Sequence, residues 1–299
     1  MGPRDVAYGD EPAVLIFADT EEGFEACRTS VAAIGGRVAA ALPISEAVGR
    51  LDEQAQLDVV LVDCTADSGD SFDRLLDRLD QAARFGRHAS VVIVGPDLID
   101  AASARVSHDH VALLCAPDPV DRAAATGLAL GLRRDRLHDR GEDSPPELRQ
   151  LSEEVGRIAR TLAALSGEQT ARQRTASEGS NPDGLPTAST IRAIIRARRL
   201  REQYFDSALF ADPAWDMLLD LTAARIERRP VAVSSLCIAA AVPPTTALRW
   251  IKTLTDEGPF VRVADPRDGR RVFIELSDPA AEGMAAYFTA ADRLGVGFA

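Results

Sequence analysis

Two fold classes are predicted for this chain: an α/β domain on a buried parallel sheet over residues 1–140, and an α+β set of helices closed by a β-hairpin over 188–299. Three observations predict them. Five apolar runs within the first 116 residues are continuous rather than alternating, and amphipathic segments separate them. A stripe of apolar residues at spacings of 3 and 4 follows, and then a polar stretch with no period. Last, two short helical patterns meet at a proline turn and lead into two strand patterns that flank "DPRDGRR" (265–271).

The 299 residues suffice for about two domains of ordinary size. Apolar residues make up 46% and charged residues 27%, a balance typical of water-soluble globular chains. The four cysteines (Cys27, Cys64, Cys115, Cys237) lie far apart inside apolar runs, which suits reduced core residues rather than a zinc site or a disulfide frame. The sequence starts "MGPRDVAYGDEP" without an apolar leader, and no run of about 18 apolar residues follows, so a cytoplasmic chain without a membrane partner is expected. The net charge is −12 and unevenly spread: residues 186–299 hold 15 basic and 14 acidic side chains, and residues 1–185 the remaining 19 and 32. Such acidity argues against non-specific coating of nucleic acid and should keep the first domain off a duplex, free for a protein partner. The chain has a single lysine, Lys252.

The five runs are "AVLIFAD" (13–19), "RVAAAL" (37–42), "DVVLVDC" (58–64), "SVVIVG" (90–95) and "VALLCA" (111–116). Between the third and fourth, Phe72, Leu75, Leu76 and Leu79 fall at helical spacing. Five βα repeats with right-handed crossovers give a five-stranded sheet covered on both faces, of flavodoxin-like order.

In "PPELRQLSEEVGRIARTLAAL", the residues Leu148, Leu151, Val155, Ile158, Leu162 and Leu165 form the a/d seam of a coiled coil, so a dimerisation helix is expected over 141–166. A single amphipathic helix packed on its own domain would show a similar stripe. The polar segment 167–187 reads as a flexible linker.

Helices are expected in "TASTIRAIIRARRLREQYF", "PAWDMLLDLTAARIERR", "SSLCIAAAV" and "PTTALRWIKTLTDEG", the last opened by Pro244 and closed by Gly258. Strands "FVRVA" and "RVFIEL" and a closing helix "DPAAEGMAAYFTAADRL" complete the domain. This order is that of a winged helix-turn-helix. In the helix after the "AAVPP" turn, Ala247, Leu248, Ile251 and Leu254 form the buried stripe. Thr245, Arg249 and Lys252 fall on another face, with Thr246 and Thr253 beside them. Such a face offers hydroxyls and cations to base edges and phosphates of double-stranded DNA. Arg267, Arg270 and Arg271 would then form a wing tip over the phosphates. Asp265 and Asp268 would order the turn by short-range bonds, with Gly269 supplying a permissive φ. A solvated helix face and a merely soluble hairpin are the bland readings of the same residues.

On these residues the stretch from about 190 to 290 resembles the MarR-type winged-helix family. "VPPTTALRWIKTLTDEG…VRVADPRDGRR" looks like that family's recognition helix and Asp-x-Arg-Asp-x-Arg wing, with Arg249 in the helix and Arg267 and Arg270 in the wing. The resemblance covers about a third of the chain and implies a dimeric, sequence-specific DNA-binding transcription regulator. This sequence carries a large first domain besides.

That first domain resembles a two-component receiver. Asp63 ends the third strand where a receiver keeps its phosphorylated aspartate. The acidic pair after the first strand is reduced to Ala18–Asp19, Gly95 stands where a Ser or Thr is needed, and Ala116–Pro117 where a lysine is needed. Phosphoryl transfer needs a bridging metal and a cation, so Asp63 and Asp19 are expected to be vestigial, with few counter-charges near Asp63. Enzyme readings find no support: no Gly-x-Gly-x-x-Gly follows the first strand, the one lysine excludes a Walker A loop here, and "HDH" (108–110) lacks a third ligand, so no cofactor or metal is expected. "GGR" (35–37) reads as a helix stop. The expected function is a dimeric DNA-binding regulator with a non-phosphorylatable receiver-like domain. The alternatives are a phosphorylated response regulator, a protein-interaction adaptor, and a metabolite sensor using the carboxyl ends of the strands.

Overall fold

The computed structural model describes residues 11–53, 57–138, 185–205 and 210–294. The expected coiled-coil seam, Leu148 to Leu165, and residues 167–184 of the linker lie outside the described residues.

The first region alternates strand and helix: β1 (Ala13–Ala18), α1 (Glu21–Ala33), β2 (Arg37–Pro43), α2 (Ala47–Glu53), β3 (Val59–Cys64), α3 (Asp70–Arg84), β4 (Ala89–Val94), α4 (Ile99–Arg105), β5 (Val111–Cys115) and α5 (Pro119–His138). The five strands pair in parallel in the order β2-β1-β3-β4-β5, the doubly wound order expected from the repeats. Residues alternate across the sheet, so each strand feeds two cores. Val14 and Ile16 join Cys27 and Val31 of α1 and Ala129 of α5. Leu15 and Phe17 join Phe72, Leu75, Leu76 and Leu79 of α3. Each of these α3 side chains is fully buried, stabilising the fold by about 1.5–3 kcal/mol apiece. Helix α1 starts at Thr20, whose hydroxyl accepts from Gly23 N, and stops at Gly35 (φ 65°), the residue expected to end it.

The second region is α6 (Ala188–Leu200), α7 (Pro213–Glu227), β6 (Val231–Ala232), α8 (Val233–Ala239), α9 (Pro244–Asp256), β7 (Phe260–Ala264), β8 (Val272–Leu276) and α10 (Asp278–Arg293). The expected hairpin pairs β7 with β8 antiparallel, and the two-residue β6, too short to leave a sequence signal, adds to the other edge of β8. Thr187, Asp212 and Ser277 cap α6, α7 and α10 through their side-chain oxygens. Pro244 opens α9, and Gly258 (φ 96°) follows its end.

The two regions share a core. The apolar cluster on the α3–α4 face of the sheet continues into Val233, Leu236, Ala247 and Leu248 of the second region. This contact sets α8 and α9 against α4 and the free edge of β5.

Candidate nucleic-acid interface

In α9, Ala247, Leu248, Ile251 and Leu254 are buried, which is the stripe expected. The opposite face is divided. Arg249 and Thr253 are exposed, and Thr246 is half-buried. Thr245, which sequence reasoning placed among the DNA-facing groups, is only 5% exposed. Its hydroxyl accepts from Cys115 N at 3.1 Å and donates to Cys115 O at 3.0 Å. One side chain thus takes the place of a neighbouring strand at the edge of β5, where unpaired backbone groups would otherwise need water. Lys252 reaches Asp109 in the loop before β5 and Asp256 one turn along its own helix at 3.0 Å. Burial opposes the charge of Lys252, but the two carboxylates outweigh it and hold the ammonium above its ordinary pKa.

The wing tip is ordered as expected by its aspartates: Asp265 accepts from Arg267 N and Asp268 from Arg270 N, both at 2.9 Å. Gly269 is a correction. It has no positive φ and a Cβ there would meet nothing, so the turn needs no glycine at that position. Arg267 and Arg271 are exposed. Arg270 turns to the first region and binds Asp67 through two hydrogen bonds of 2.9 Å, with its Nε 3.2 Å from Asp73. Those bonds, above all the Arg270 guanidinium, hold Asp67 below the usual carboxylate range, and the Lys252 ammonium does the same for Asp109.

A fourth contact fixes α8. Its N-terminus has no side-chain cap of its own; instead Asp100 of α4 accepts from Ser234 N at 2.9 Å and from Ser234 Oγ at 2.7 Å. Sequence reasoning missed Asp67, Asp73, Asp100 and Asp109. The acidic excess of the first region was the available signal, but in the sequence it reads equally well as repelling DNA or meeting a separate partner.

Asp63 sits at the end of β3, 4% exposed, beside Ala18 of β1. The expectation of few counter-charges is wrong: Arg122, in the first turn of α5, forms a buried ion pair with Asp63. Gly23 of α1 closes the other side, since a Cβ there would lie 3.1 Å from the carboxyl carbon. Asp19 turns away and caps the loop after β3, accepting from Thr65 N at 2.7 Å, Thr65 Oγ at 3.1 Å and Ala66 N at 2.8 Å. Among the described residues no cluster of three or more His, Cys, Asp or Glu could hold a metal. The four cysteines are free and buried, and burial pushes the Cys27 thiol up to about 11 and that of Cys64 up to about 12, so they are inert core groups at neutral pH.

No protein-family model and no curated protein matches the sequence. Among solved structures, the MepR–DNA complex of S. aureus is 16% identical and covers 36% of this chain and 81% of its own, with a TM-score of 0.25. The adhesin competence repressor AdcR of Streptococcus pyogenes is 15% identical over 36% of this chain and 71% of its own, with a TM-score of 0.22. The RcsB response regulator of Salmonella typhimurium is 12% identical over 78% of this chain and 100% of its own, with a TM-score of 0.31. Likenesses this low carry no functional argument; the side-chain geometry has to carry it. No helix among the described residues is long and apolar enough to cross a membrane.

Proposed function

We propose that this chain is a sequence-specific, dimeric DNA-binding transcription regulator of winged helix-turn-helix type, with a receiver-like domain that is not phosphorylated and that holds the DNA-facing surface closed. One observation carries the reading: the helix–turn–helix of α8 and α9 presents Arg249 and Thr253 outward, next to a wing whose arginines are held on an aspartate-ordered turn. Arg249 supplies the bidentate contact to a guanine, Thr246 and Thr253 flank it, and Arg267 and Arg271 lie over phosphates. Thr245, Lys252 and Arg270 join them once they leave Cys115, Asp109 and Asp67. The seam Leu148 to Leu165 brings two such modules together, and a second half-site raises affinity through effective concentration.

The Asp63 pocket supports the non-phosphorylatable part. A carboxylate that is buried, ion-paired to Arg122 and covered by Gly23 leaves no room for an in-line phosphoryl donor. Asp19, spent on capping a loop, offers one oxygen at most to a metal. Incubation with acetyl phosphate and Mg²⁺ should therefore add no mass to Asp63; a phosphorylated Asp63 with altered DNA affinity would restore the response-regulator reading.

The test of DNA binding is selection of duplexes from a random pool by the full chain. An enriched motif is expected, and Arg249→Ala should lose about 1–3 kcal/mol and relax one base position. No enrichment, with Arg249→Ala indistinguishable from the parent at matched salt, would leave the adaptor reading standing.

A further inference from the structure

The chain has two tryptophans, and they stand in unlike surroundings. Trp215 of α7 packs against the apolar core and meets Tyr287 of α10 edge-on, with ring centroids 4.7 Å apart. Trp250 of α9 is 38% exposed, and among the described residues its indole has no hydrogen bond, ring partner or cation. Its direction follows from the helix. Residues three and four apart share a face, so Thr246, Trp250 and Thr253 line one side of α9. The other sides are taken. Ala247, Leu248, Ile251 and Leu254 face the core, and Thr245 and Lys252 face β5 and the loop before it. Arg249 helps to line a cavity between α9 and β5, whereas Thr246, Trp250 and Thr253 do not. The middle of the surface that α9 offers to solvent is therefore an indole flanked by two hydroxyls, with Arg249 at its margin.

We infer that Trp250 is a specificity-determining residue and that it selects thymine in the major groove, an inference that rests on the DNA-binding reading. A lone exposed apolar side chain is common on protein surfaces and points to nothing by itself. Here place and chemistry point to one ligand. The indole offers one N–H donor, no acceptor and a broad apolar ring. In the major groove thymine alone sets an acceptor, O4, beside a methyl group. Guanine shows two acceptors and no methyl, and adenine and cytosine show amino donors that an indole would leave unpaired. The ring covers the C5-methyl group while Nε1–H donates to O4. Thr246 and Thr253, one turn to either side, supply the acceptors that an indole lacks. Few rotatable bonds mean that tryptophan loses little freedom on contact.

Trp250 makes none of the contacts that hold α9 against the first region. A substitution there should alter base choice without altering closure.

The experiment uses the duplex that the full chain enriches from a random pool, with each thymine in turn replaced by uracil, which keeps O4 and loses only the methyl group. Affinities of the parent, Trp250→Ala and Trp250→Phe are measured at matched salt. In the parent, uracil at one thymine of the half-site should weaken binding about 4-fold, the worth of one buried methyl group. Trp250→Ala should bind the unmodified duplex about 10-fold more weakly and be indifferent to uracil at that position. Trp250→Phe, which keeps an apolar ring and loses the N–H, should still respond to uracil there. The slope of affinity against salt should be the same for all three, because no phosphate contact is removed. A flatter slope for Trp250→Ala would make the indole a backbone contact and overturn the assignment. So would a motif without thymine, or the same cost of uracil in the parent and Trp250→Ala at every thymine. If the parent enriches no duplex at all, the DNA-binding reading fails first and the assignment falls with it. If a duplex is enriched and Trp250→Ala is indistinguishable from the parent, the assignment alone falls.

Discussion

Two acidic places in the first domain bind arginine or lysine, and they do so for different ends. In the Asp63 pocket, carboxylate and guanidinium belong to the same region, the carboxylate is buried and closed in by Gly23, and the Arg122 side chain is only 13% exposed. At the seam with α9 and the wing, Asp67, Asp100 and Asp109 reach across to Arg270, Ser234 and Lys252; the Asp67 and Asp109 pairs stay half in water, and the more deeply set Asp73 makes a third ion pair, again with Arg270. A buried pair is expensive to break because either partner alone is left charged without solvent. A half-exposed pair is worth about 0.2–1 kcal/mol, so water can replace it. The first pocket is therefore a fixed part of the fold, whereas the half-exposed ion pairs of the seam can be exchanged for water one by one.

The largest expected effect breaks the fixed member of this comparison. Arg122→Ala leaves Asp63 buried without a counter-charge and should cost about 3–5 kcal/mol in denaturant unfolding. Asp63→Asn should also destabilise, contrary to what the sequence suggested, because Arg122 is then the stranded charge. If Asp63→Asn melts above the parent, the pair is not the stabilising element described. At the seam, Asp100→Ala removes the only side-chain acceptor found at the start of α8 among the described residues and should cost about 1 kcal/mol, the usual worth of an N-cap. A loss near 3 kcal/mol would place the seam in the same class as the Asp63 pocket.

Acid sharpens the contrast further. The carboxyls of Asp67 and Asp109 titrate lower in the closed arrangement than when free. Their contribution to closure is complete above the ordinary carboxylate value, near pH 4, and is lost as pH falls through the depressed values. Small-angle scattering should accordingly detect no opening between pH 8 and 5 from these groups, and expansion only below about pH 4. Expansion that sets in between pH 7 and 6 would point to another group. The smallest effect belongs to the wing: Gly269→Ala should change stability by less than about 0.5 kcal/mol, because the position has no positive φ and open space around it. Gly258→Ala, at φ 96°, should cost more.

What the sequence could and could not tell follows the range of the interactions. The five strands were legible because burial on both faces forces continuous apolar runs, and the inner stripe of α9 because one helix face must meet its core. The aspartate-ordered wing was legible because Asp265 and Asp268 act on residues two places away. The bond of Thr245 to Cys115 was not legible, since a hydroxyl serves a base edge or a bare strand edge equally well. Arg122 lies 59 residues from Asp63, and Arg270 lies 203 from Asp67, and no helical or strand period carries such a pairing.

The central claim is that the first domain masks a DNA-binding surface. It is tested most directly by the affinity of the full-length Asp67→Ala/Asp100→Ala/Asp109→Ala variant for the selected duplex, relative to the parent at the same salt. Three weak contacts removed together should release about 1–3 kcal/mol of closure, so the variant should bind about 5- to 150-fold more tightly. Equal or weaker binding by a folded variant would contradict the account, for it would mean that the contacts of Asp67, Asp100 and Asp109 with the second region do not withhold it from DNA.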